Sequence, residues 1–246
     1  MFRKGGVCVV RIAFDDLARA TFIERPNRFI VRCRLQETGE EVEAHLADPG
    51  RLKELLLPGA VLYLRFAAQA HRKTKWSAAL VLAPDGQTLV SLQATMANRL
   101  AAQAMAQKKI PALANWDLSR AEYSFAGSRF DFYLQNQIKQ EMLLEVKSCT
   151  LVHDGVAMFP DAVTARGKRH VQELTRLQRS GEFETAILFV VQRADGQIFR
   201  PASQIDPAFS KALKEAYDQG VEVLVYQAQV DLAGITWGQQ LPTDFS

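Results

Sequence analysis

The regular alternation of short apolar runs and turn signals between residues 29 and 92 is the strongest constraint on the fold of this chain. Five runs have the composition of short β-strands, and turn signals rich in Gly, Pro and acidic residues separate them. The runs are FIVRCRL, EVEAHL, VLYLRFA, WSAALVLA and TLVSL. So many short strands in succession predict a small β-barrel, of which the OB-fold is a common form. The segment GRLKELLLPG predicts a short helical connection inside it, ended by Pro58 and Gly59.

The pattern changes at residue 94, where ATMANRLAAQAMAQKK has a helical composition that Pro111 stops. Two strand-like runs separated by a polar turn then predict a hairpin. They are followed by a helix that Gly181 ends, an apolar strand, a helix that Asp206 and Pro207 open, and a last strand. This order predicts a mixed α/β domain with a partly parallel sheet. We therefore expect an α/β protein (α+β overall), with an OB-like small β-barrel over residues 1–93 and a mixed α/β domain over residues 94–246.

Composition narrows the class of protein only modestly. The formal net charge is +3, a mild excess that does not by itself predict a polyanionic partner. The cysteines, Cys8, Cys33 and Cys149, form no C-x-x-C pair, which favours free thiols in a reducing cytoplasm over disulfides or a zinc site. No apolar stretch approaches the roughly 20 residues that span a bilayer. We expect a soluble cytoplasmic protein with no membrane partner, and the sequence does not indicate its oligomeric state.

The predicted hairpin carries an unusual set of charged residues. In LLEVKSC, strand alternation places Leu144 and Val146 on one face and Glu145 and Lys147 on the other. Asp131, in SRFDFYL, can approach Glu145 from the neighbouring strand, because cross-strand neighbours lie about 5 Å apart. Two adjacent carboxylates repel unless a cation or a proton intervenes. Mg²⁺ or Mn²⁺ is a natural solution, and a lysine beside the metal can orient water or stabilise charge on a phosphate.

Each of these residues also has a simpler interpretation. Glu145 and Lys147 can form an ordinary surface ion pair. Glu122 can be a third metal ligand if AEYSF forms the neighbouring strand, or an exposed strand glutamate. Arg129 can reach a phosphate, or it can be a surface arginine without a partner.

Basic residues are most concentrated in the predicted helix TARGKRHVQEL. We expect one face of it, opposite Val171 and Leu174, to be exposed and to contact a DNA backbone, since phosphates dominate non-specific affinity. The alternative is a solvated basic face without a partner. His170 can be a proton shuttle, a metal ligand or a hydrogen-bonding residue. The candidate DNA contacts in this helix are Arg166, Lys168, Arg169 and His170.

The predicted barrel contributes further candidates for nucleic-acid binding. Arg72, Lys73 and Lys75 lie beside Trp76, a combination suited to a groove that tracks a nucleic-acid backbone, although the tryptophan itself is expected to belong to the core. Arg51 precedes the predicted short helix, whose free backbone N–H groups would suit a phosphate. Asp48 adds a negative charge to this loop and weakens that interpretation.

An aspartate followed, after a hairpin turn, by Glu-x-Lys resembles the PD-(D/E)xK nuclease-like superfamily. That resemblance implies that the acids bind the metal and the lysine assists phosphodiester hydrolysis. Together, SRFDFYL, LLEVKSCTL, FPDAVTARGKRHVQEL and GRLKELLLPG resemble the sugar fermentation stimulation protein A family. This second resemblance implies an OB-like domain joined to a restriction-endonuclease-like domain, non-specific DNA binding and a regulatory link to maltose metabolism. It also implies an asparagine at position 48, where this chain has Asp48.

Two functions follow from these patterns. The first is a DNA-binding protein with a divalent-metal phosphodiesterase centre made by Asp131, Glu145 and Lys147. The second is a non-catalytic DNA-binding regulator with a vestigial nuclease fold, so the sequence does not decide whether the protein is an enzyme. A cofactor-dependent or small-molecule enzyme is disfavoured, because G-x-G-x-x-G, Walker A and G-x-S-x-G motifs are absent.

Overall fold

The structure, a computed structural model, describes residues 9–67 and 73–245. The first strand, β1 (Arg11–Ala13), does not join the barrel that follows it. It pairs antiparallel with the end of the chain, Arg11 opposite Thr236, and so belongs to the C-terminal sheet. The division into residues 1–93 and 94–246 stays a prediction. β1 lies within residues 1–93 but pairs with a strand of the second part.

Six strands then form the N-terminal sheet. They are β2 (Leu17–Asn27), β3 (Ile30–Leu35), β4 (Glu41–Leu46), β5 (Val61–Phe66), β6 (Trp76–Leu82) and β7 (Leu89–Ser91). Their order is β4-β3-β2-β5-β6-β7, and an additional parallel pairing of β4 with β6 closes five of them into a barrel. The OB-like prediction is confirmed. β2 was not predicted, because its inward positions include Ala20, and alanine is a weak strand signal.

The short helix predicted for residues 50–59 is wrong. The chain makes an irregular turn there, in which the N–H groups of Leu55 and Leu56 both donate to the carbonyl of Leu52. Leu52 has a φ of 51°, outside the α-helical region. Leu52, Leu55 and Leu56, which have helical spacing, instead pack into the barrel core, where all three are buried.

The C-terminal part begins with α1 (Ala94–Ala106) and a 3₁₀ turn (Pro111–Leu113). It continues through β8 (Trp116–Phe125), β9 (Ser128–Asn136), β10 (Glu141–Cys149), β11 (Leu151–His153), β12 (Val156–Phe159), α2 (Ala165–Ser180), β13 (Glu184–Val191), β14 (Ile198–Pro201), α3 (Pro207–Asp218), β15 (Glu222–Asp231) and β16 (Gly234–Gln240). The main sheet has the order β1-β16-β15-β13-β10-β9-β8, and β11, β12 and β14 form a small second sheet. The strands β10, β13 and β15 run parallel, which confirms the predicted mixed α/β architecture.

The main sheet is covered on both faces. α1 packs on one face, where Leu100 joins Leu144 and Leu188 in a buried cluster. α2 and α3 cover the other face, where Leu174 and Phe209 are buried in a second cluster. β10 is therefore held between two apolar layers. None of the helices within the described ranges is long and apolar enough to cross a membrane.

One loop of the barrel, residues 48–53, is fastened to the segment that precedes α2. The backbone N–H of Leu52 donates to Asp161 Oδ2 at 3.0 Å, and the N–H of Gly50 donates to Asp48 Oδ1 at 2.7 Å. Both carboxylates crowd Gly50 so closely that a Cβ there would lie 2.5 Å from Asp161 Oδ2 and 2.8 Å from Asp48 Oδ1. A side chain at this position would have to displace one or both carboxylates of the clasp. We call this set of contacts the interdomain clasp.

Arg25 supports the clasp from within the barrel. Its guanidinium donates to the carbonyls of Arg51 at 2.7 Å and Arg28 at 2.8 Å. Three chain segments, at residues 25–28, 48–52 and 161, are thereby tied together. The part-buried bond from Leu52 to Asp161 joins the barrel to the C-terminal domain, and the other bonds hold loop 48–53 within the barrel.

Asp48 carries an electrostatic cost within the clasp. Burial raises the pKa of Asp48 to about 6; the charges of Asp161 and Glu54 add to the rise, and the Gly50 N–H and Arg25 oppose it. Because the folded pKa exceeds that of the unfolded chain, folding favours the protonated carboxyl. The buried charge of Asp48 therefore lowers the free energy of unfolding, and the full loss is present above about pH 6. The loss becomes smaller as the pH falls towards about 4.

We predict that Asp48→Asn stabilises the protein at neutral and alkaline pH. The amide oxygen can still accept the Gly50 N–H, while the buried charge is removed. The expected gain in the free energy of unfolding is at most about 3 kcal/mol above pH 7 and close to zero near pH 4. Urea unfolding across this pH range measures it, with the exposed Asp218→Asn on α3 as the control. A gain that does not change with pH would contradict the assignment of the cost to the Asp48 charge.

Candidate functional site

The site forms where the pairing of β9 with β10 ends. The last paired residues are Leu144 and Phe132, so Glu145 and Asp131 are the next residues on the two strands. β10 continues beyond this point beside β13, with Glu145 opposite Ile187. Asp131 Oδ2 accepts the backbone N–H of Val146 at 2.7 Å. The aspartate is thereby anchored to β10 just past the end of the ladder.

Glu145 is nearly completely buried, with 5% of its surface exposed. Its Oε1 accepts a hydrogen bond from Lys147 Nζ at 2.6 Å and lies 2.9 Å from His170 Nδ1. Because a carboxylate can only accept, Nδ1 of the histidine carries the proton in this contact. The other oxygen, Oε2, is buried and has no hydrogen-bond partner within the described residues.

The two carboxyl groups differ in their tendency to lose a proton. Burial raises the pKa of Glu145, but the hydrogen bond from His170 and the charge and hydrogen bond of Lys147 outweigh it, so the net shift is downward. Burial also raises the pKa of Asp131, the charge of Glu145 adds to this, and the donors Val146 and Asn98 only partly offset it. A cation placed between the two groups would favour the charged form of both.

Asn98 is a site residue that sequence reasoning missed. It lies on α1, and its amide donates to Asp131 Oδ1 at 2.7 Å. The two oxygens of Asp131 are thus held by donors from a helix and from a strand. The available signal was a carboxamide beside the buried Ala97 and Leu100 in a largely apolar helix.

The carboxyl pair opens into a cavity of about 1110 Å³ between the barrel and the C-terminal domain. Asp131, Glu145 and Lys147 line it from the main sheet, and Asn98 lines it from α1. The barrel contributes loop 48–53 with its clasp, and the chain before and into α2 contributes residues 158–164, 166 and 167. The geometry therefore places both acids and the lysine in one shared, part-buried space.

Glu122 is adjacent to this pair without joining it. Its neighbours Ala121 and Tyr123 pair with Phe132 and Phe130, so Glu122 lies across from Asp131 and lines the same cavity. Its carboxylate, however, is exposed and forms an ion pair with Arg129. Within residues 9–67 and 73–245, no group of three or more His, Cys, Asp or Glu side chains is placed to hold a metal ion. The position of Glu122 thus matches the alternative interpretation, an exposed strand glutamate. Arg129 forms an ion pair with this glutamate.

The predicted exposure of His170 is wrong. The side chain is 4% exposed, packs near the ring of Phe130 and faces Glu145. The buried face of α2 is wider than the Val171 and Leu174 stripe and includes Gly167 and His170. Of the three roles considered for His170, hydrogen bonding is the one that the geometry shows.

The other predicted contacts on α2 divide into two groups. Arg166 is exposed and lines the cavity. Arg169 is exposed and Lys168 is half-buried, and neither lines the cavity. The basic face of α2 therefore reaches the cavity only at Arg166, and Lys168 and Arg169 lie outside the cavity.

The predicted contacts of the barrel also divide. Arg51 is exposed and lines the cavity, but the N–H groups beside it already donate to Asp48 and Asp161 and no helix follows, so the expected phosphate site on this backbone is wrong. Lys73 and Lys75 are exposed outside the cavity, and Arg72 lies outside the described residues. Trp76 packs edge-on against Phe66 beside the barrel core, as predicted.

Comparisons with known proteins agree with this architecture. The family model of the SfsA N-terminal OB domain matches residues 23–92, and that of the Sugar fermentation stimulation protein RE domain matches residues 95–234. A Sugar fermentation stimulation protein homolog of Shouchella clausii is 42% identical over 226 residues, covering 92% of this chain and 97% of the relative. A homolog of Methanothermobacter thermautotrophicus is 38% identical over 224 residues, covering 91% of each chain.

A solved structure extends the likeness to three dimensions. The structure of Pyrococcus furiosus SfsA in complex with Ca²⁺ is similar to this chain with a TM-score of 0.87 and 25% sequence identity. The match covers 97% of this chain and 100% of that one. On the family models and the relatives together, this chain belongs to the sugar fermentation stimulation protein family.

Proposed function

We propose that this protein binds DNA through its phosphates and hydrolyses phosphodiester bonds at a divalent-metal centre that Asp131 and Glu145 hold. The observation that carries the proposal is the state of Glu145. Two donors share its Oε1, while Oε2 is buried with no hydrogen-bond partner in the described part of the chain, and the residue lines the cavity. A buried carboxylate oxygen without a partner is costly, and a bound cation would satisfy it.

The residues present fit Mg²⁺ or Mn²⁺. A small hard cation of this kind is commonly held by one or two carboxylates, with waters and substrate phosphate completing its shell. Asp131 and Glu145 supply two carboxylates, and the cavity leaves room for phosphate and water. The Pyrococcus furiosus relative, which is similar over nearly the whole chain, was solved in complex with Ca²⁺, another oxygen-binding divalent cation. That complex supports a divalent-cation site in this chain as well.

The protein's own groups have separable roles in this proposal. A bound divalent cation would polarise the phosphate and lower the pKa of its water. The ammonium of Lys147, which also lines the cavity, stabilises negative charge that develops on the phosphate and positions the attacking water. His170 positions Glu145, and Asn98 with the Val146 N–H positions Asp131. This division leaves Glu145 Oε2 available to the cation.

DNA binding rests on exposed cations around and beyond the cavity. Arg166 lies at the cavity, and Arg169 and Lys168 extend the basic face of α2. Contacts to phosphates carry no direct sequence information, so we expect binding that falls steeply with salt and depends little on sequence. The link to maltose metabolism that the family resemblance implies stays a prediction.

Cleavage of DNA in the presence of Mn²⁺ tests the proposed function. We expect wild-type protein to cut, and Asp131→Asn, Glu145→Gln and Lys147→Met each to reduce the rate by about a hundredfold or more, because each removes a charge at the reacting phosphate. Calorimetric titration with Mn²⁺ should show a site that the first two variants lose and Lys147→Met keeps. Asp218→Asn, an exposed carboxylate on α3, is the matched control.

Two outcomes would count against the assignment of the centre. One is unchanged Mn²⁺ binding in both carboxylate variants, and the other is undiminished cutting by Lys147→Met. Wild-type protein that binds Mn²⁺ and DNA but does not cut would instead match the alternative, a non-catalytic DNA-binding regulator.

A second test of the proposed metal site uses Asn98, whose amide holds the Asp131 carboxylate in place. We predict that Asn98→Ala weakens Mn²⁺ binding about 10- to 100-fold, because groups that orient a metal ligand typically matter to that extent. Gln103→Ala, an exposed carboxamide on the same helix, is the control. If both variants bind Mn²⁺ equally well and Asn98→Ala only lowers thermal stability, the contact to Asp131 serves packing and not the site.

A further inference from the structure

Five basic side chains around the cavity are free of acidic partners. Arg28, Arg51 and Lys53 come from the barrel, Arg99 from α1 and Arg166 from α2, and all five are exposed and line the cavity. None of them forms an ion pair with any residue in the described ranges. Three of the five belong to the domain that does not carry the carboxyl pair.

Elsewhere on the barrel, some cations are neutralised locally and others are not. Arg32, Arg34 and Arg65 form ion pairs with Glu24, Glu41 and Asp15, respectively. Arg19, Lys73 and Lys75 lie exposed outside the cavity and form no ion pair within the described residues. What distinguishes the five cations at the cavity is that they share one space with the carboxyl pair.

The acids that line the cavity do not cancel this positive charge, because its seven basic side chains outnumber the five acids. Each acid also has hydrogen-bond donors of its own. Asp48 accepts from Gly50, Asp161 from Leu52 and Asp131 from Asn98 and Val146. Glu122 is bonded to Arg129, and Glu145 to Lys147 and His170. A negatively charged ligand thus meets free arginine and lysine side chains on both sides of the cavity.

The barrel side of the cavity is a fixed wall. The clasp holds loop 48–53 through the bond from Leu52 to Asp161, and the Leu52 side chain is completely buried in the barrel core. Arg25 ties the same loop to residue 28. A ligand that reaches Glu145 must therefore pass between this wall and the C-terminal domain.

The size of this space limits what can enter it. A volume of about 1110 Å³ is near the upper end of pockets for drug-sized ligands, roughly 300–1,000 Å³. Glu145 is 5% exposed, so a phosphate must enter this space to reach its carboxylate. A space of this volume holds a few nucleotides of one strand, whereas a duplex, whose major groove alone is about 12 Å wide, does not fit inside it.

We propose that the cavity admits a single-stranded segment of nucleic acid, held by the barrel residues Arg28, Arg51 and Lys53 opposite the carboxyl pair. This inference rests on the proposed function and adds its substrate class: single strands, gaps, flaps and frayed ends, in preference to intact duplex. Phe159, the aromatic residue of the cavity wall, packs against Phe189 and Phe209 in the core, so phosphate contacts and not base stacking dominate.

Competition binding tests the preference without requiring catalysis. A labelled oligothymidylate is bound to wild-type protein in EDTA and displaced with three unlabelled circles of one sequence: single-stranded, relaxed covalently closed duplex, and the same duplex with a single-stranded gap. We expect the single-stranded and gapped circles to displace it at least about tenfold better than the closed duplex. With Mn²⁺, the single-stranded and gapped circles should be cut and the closed duplex left intact.

A charge-matched pair of variants tests the role of the barrel wall. The triple variant Arg28→Ala/Arg51→Ala/Lys53→Ala should lower the slope of log affinity against log salt by about 2 for the oligothymidylate, at roughly 0.7 per lost phosphate contact. The control Arg19→Ala/Lys109→Ala/Lys211→Ala removes the same charge outside the cavity and should leave the slope nearly unchanged. Mn²⁺ titration of both variants verifies that the carboxyl pair is intact.

The outcomes separate this inference from the function on which it rests. Equal displacement by closed duplex, or equal slopes for the two triple variants, overturns the single-strand inference while the phosphodiesterase proposal stands. A mononucleotide that competes as well as the oligothymidylate also overturns it, in favour of a small phosphorylated ligand. Failure of wild-type protein to bind any of the nucleic acids overturns both.

Discussion

The burial of the Glu145 carboxylate is the constraint on which the surrounding structure depends. A charged group between two apolar layers costs several kcal/mol unless donors surround it. Lys147 comes from the same strand, but His170 can reach Oε1 only if α2 docks with that residue turned inward. The position of α2 on the sheet is thus coupled to the site. The same burial leaves Oε2 without a hydrogen-bond partner among the described residues, and this is the observation on which the proposed cation site rests.

The elements of the fold that sequence patterns predicted are those with a clear period. Alternating runs predicted β3 to β7, and caps such as Asp206 at α3 predicted helix ends. The errors arise where tertiary packing decides. The leucines after Gly50 have helical spacing, yet they fill the barrel core from an irregular turn, because Leu52 adopts a positive φ. The strand β2 lacks a strong signal because alanine occupies one of its inward positions.

The same distinction, between local pattern and tertiary packing, applies to the residues of the site. Strand alternation and the hairpin were enough to bring Asp131, Glu145 and Lys147 together, because pairing geometry is local. Such local rules did not predict the position of His170, because Gly167, three residues earlier, widens the face that α2 can bury. The contact of Asn98 with Asp131 joins residues 33 positions apart and depends on how α1 packs against the sheet. No periodicity within one element encodes such a contact.

The clasp explains why side chains, and not the backbone, face a ligand on the barrel side. Loop 48–53 has N–H groups placed where a phosphate could bind, but Asp48 and Asp161 accept them. The carboxylates that close the loop therefore exclude a backbone anion site, and only the long side chains of residues 28, 51 and 53 remain. Flexible cations that extend from a rigid wall hold a chain of phosphates without fixing its sequence. In the proposed single-strand binding, the cavity selects the form of the nucleic acid and these cations supply the affinity.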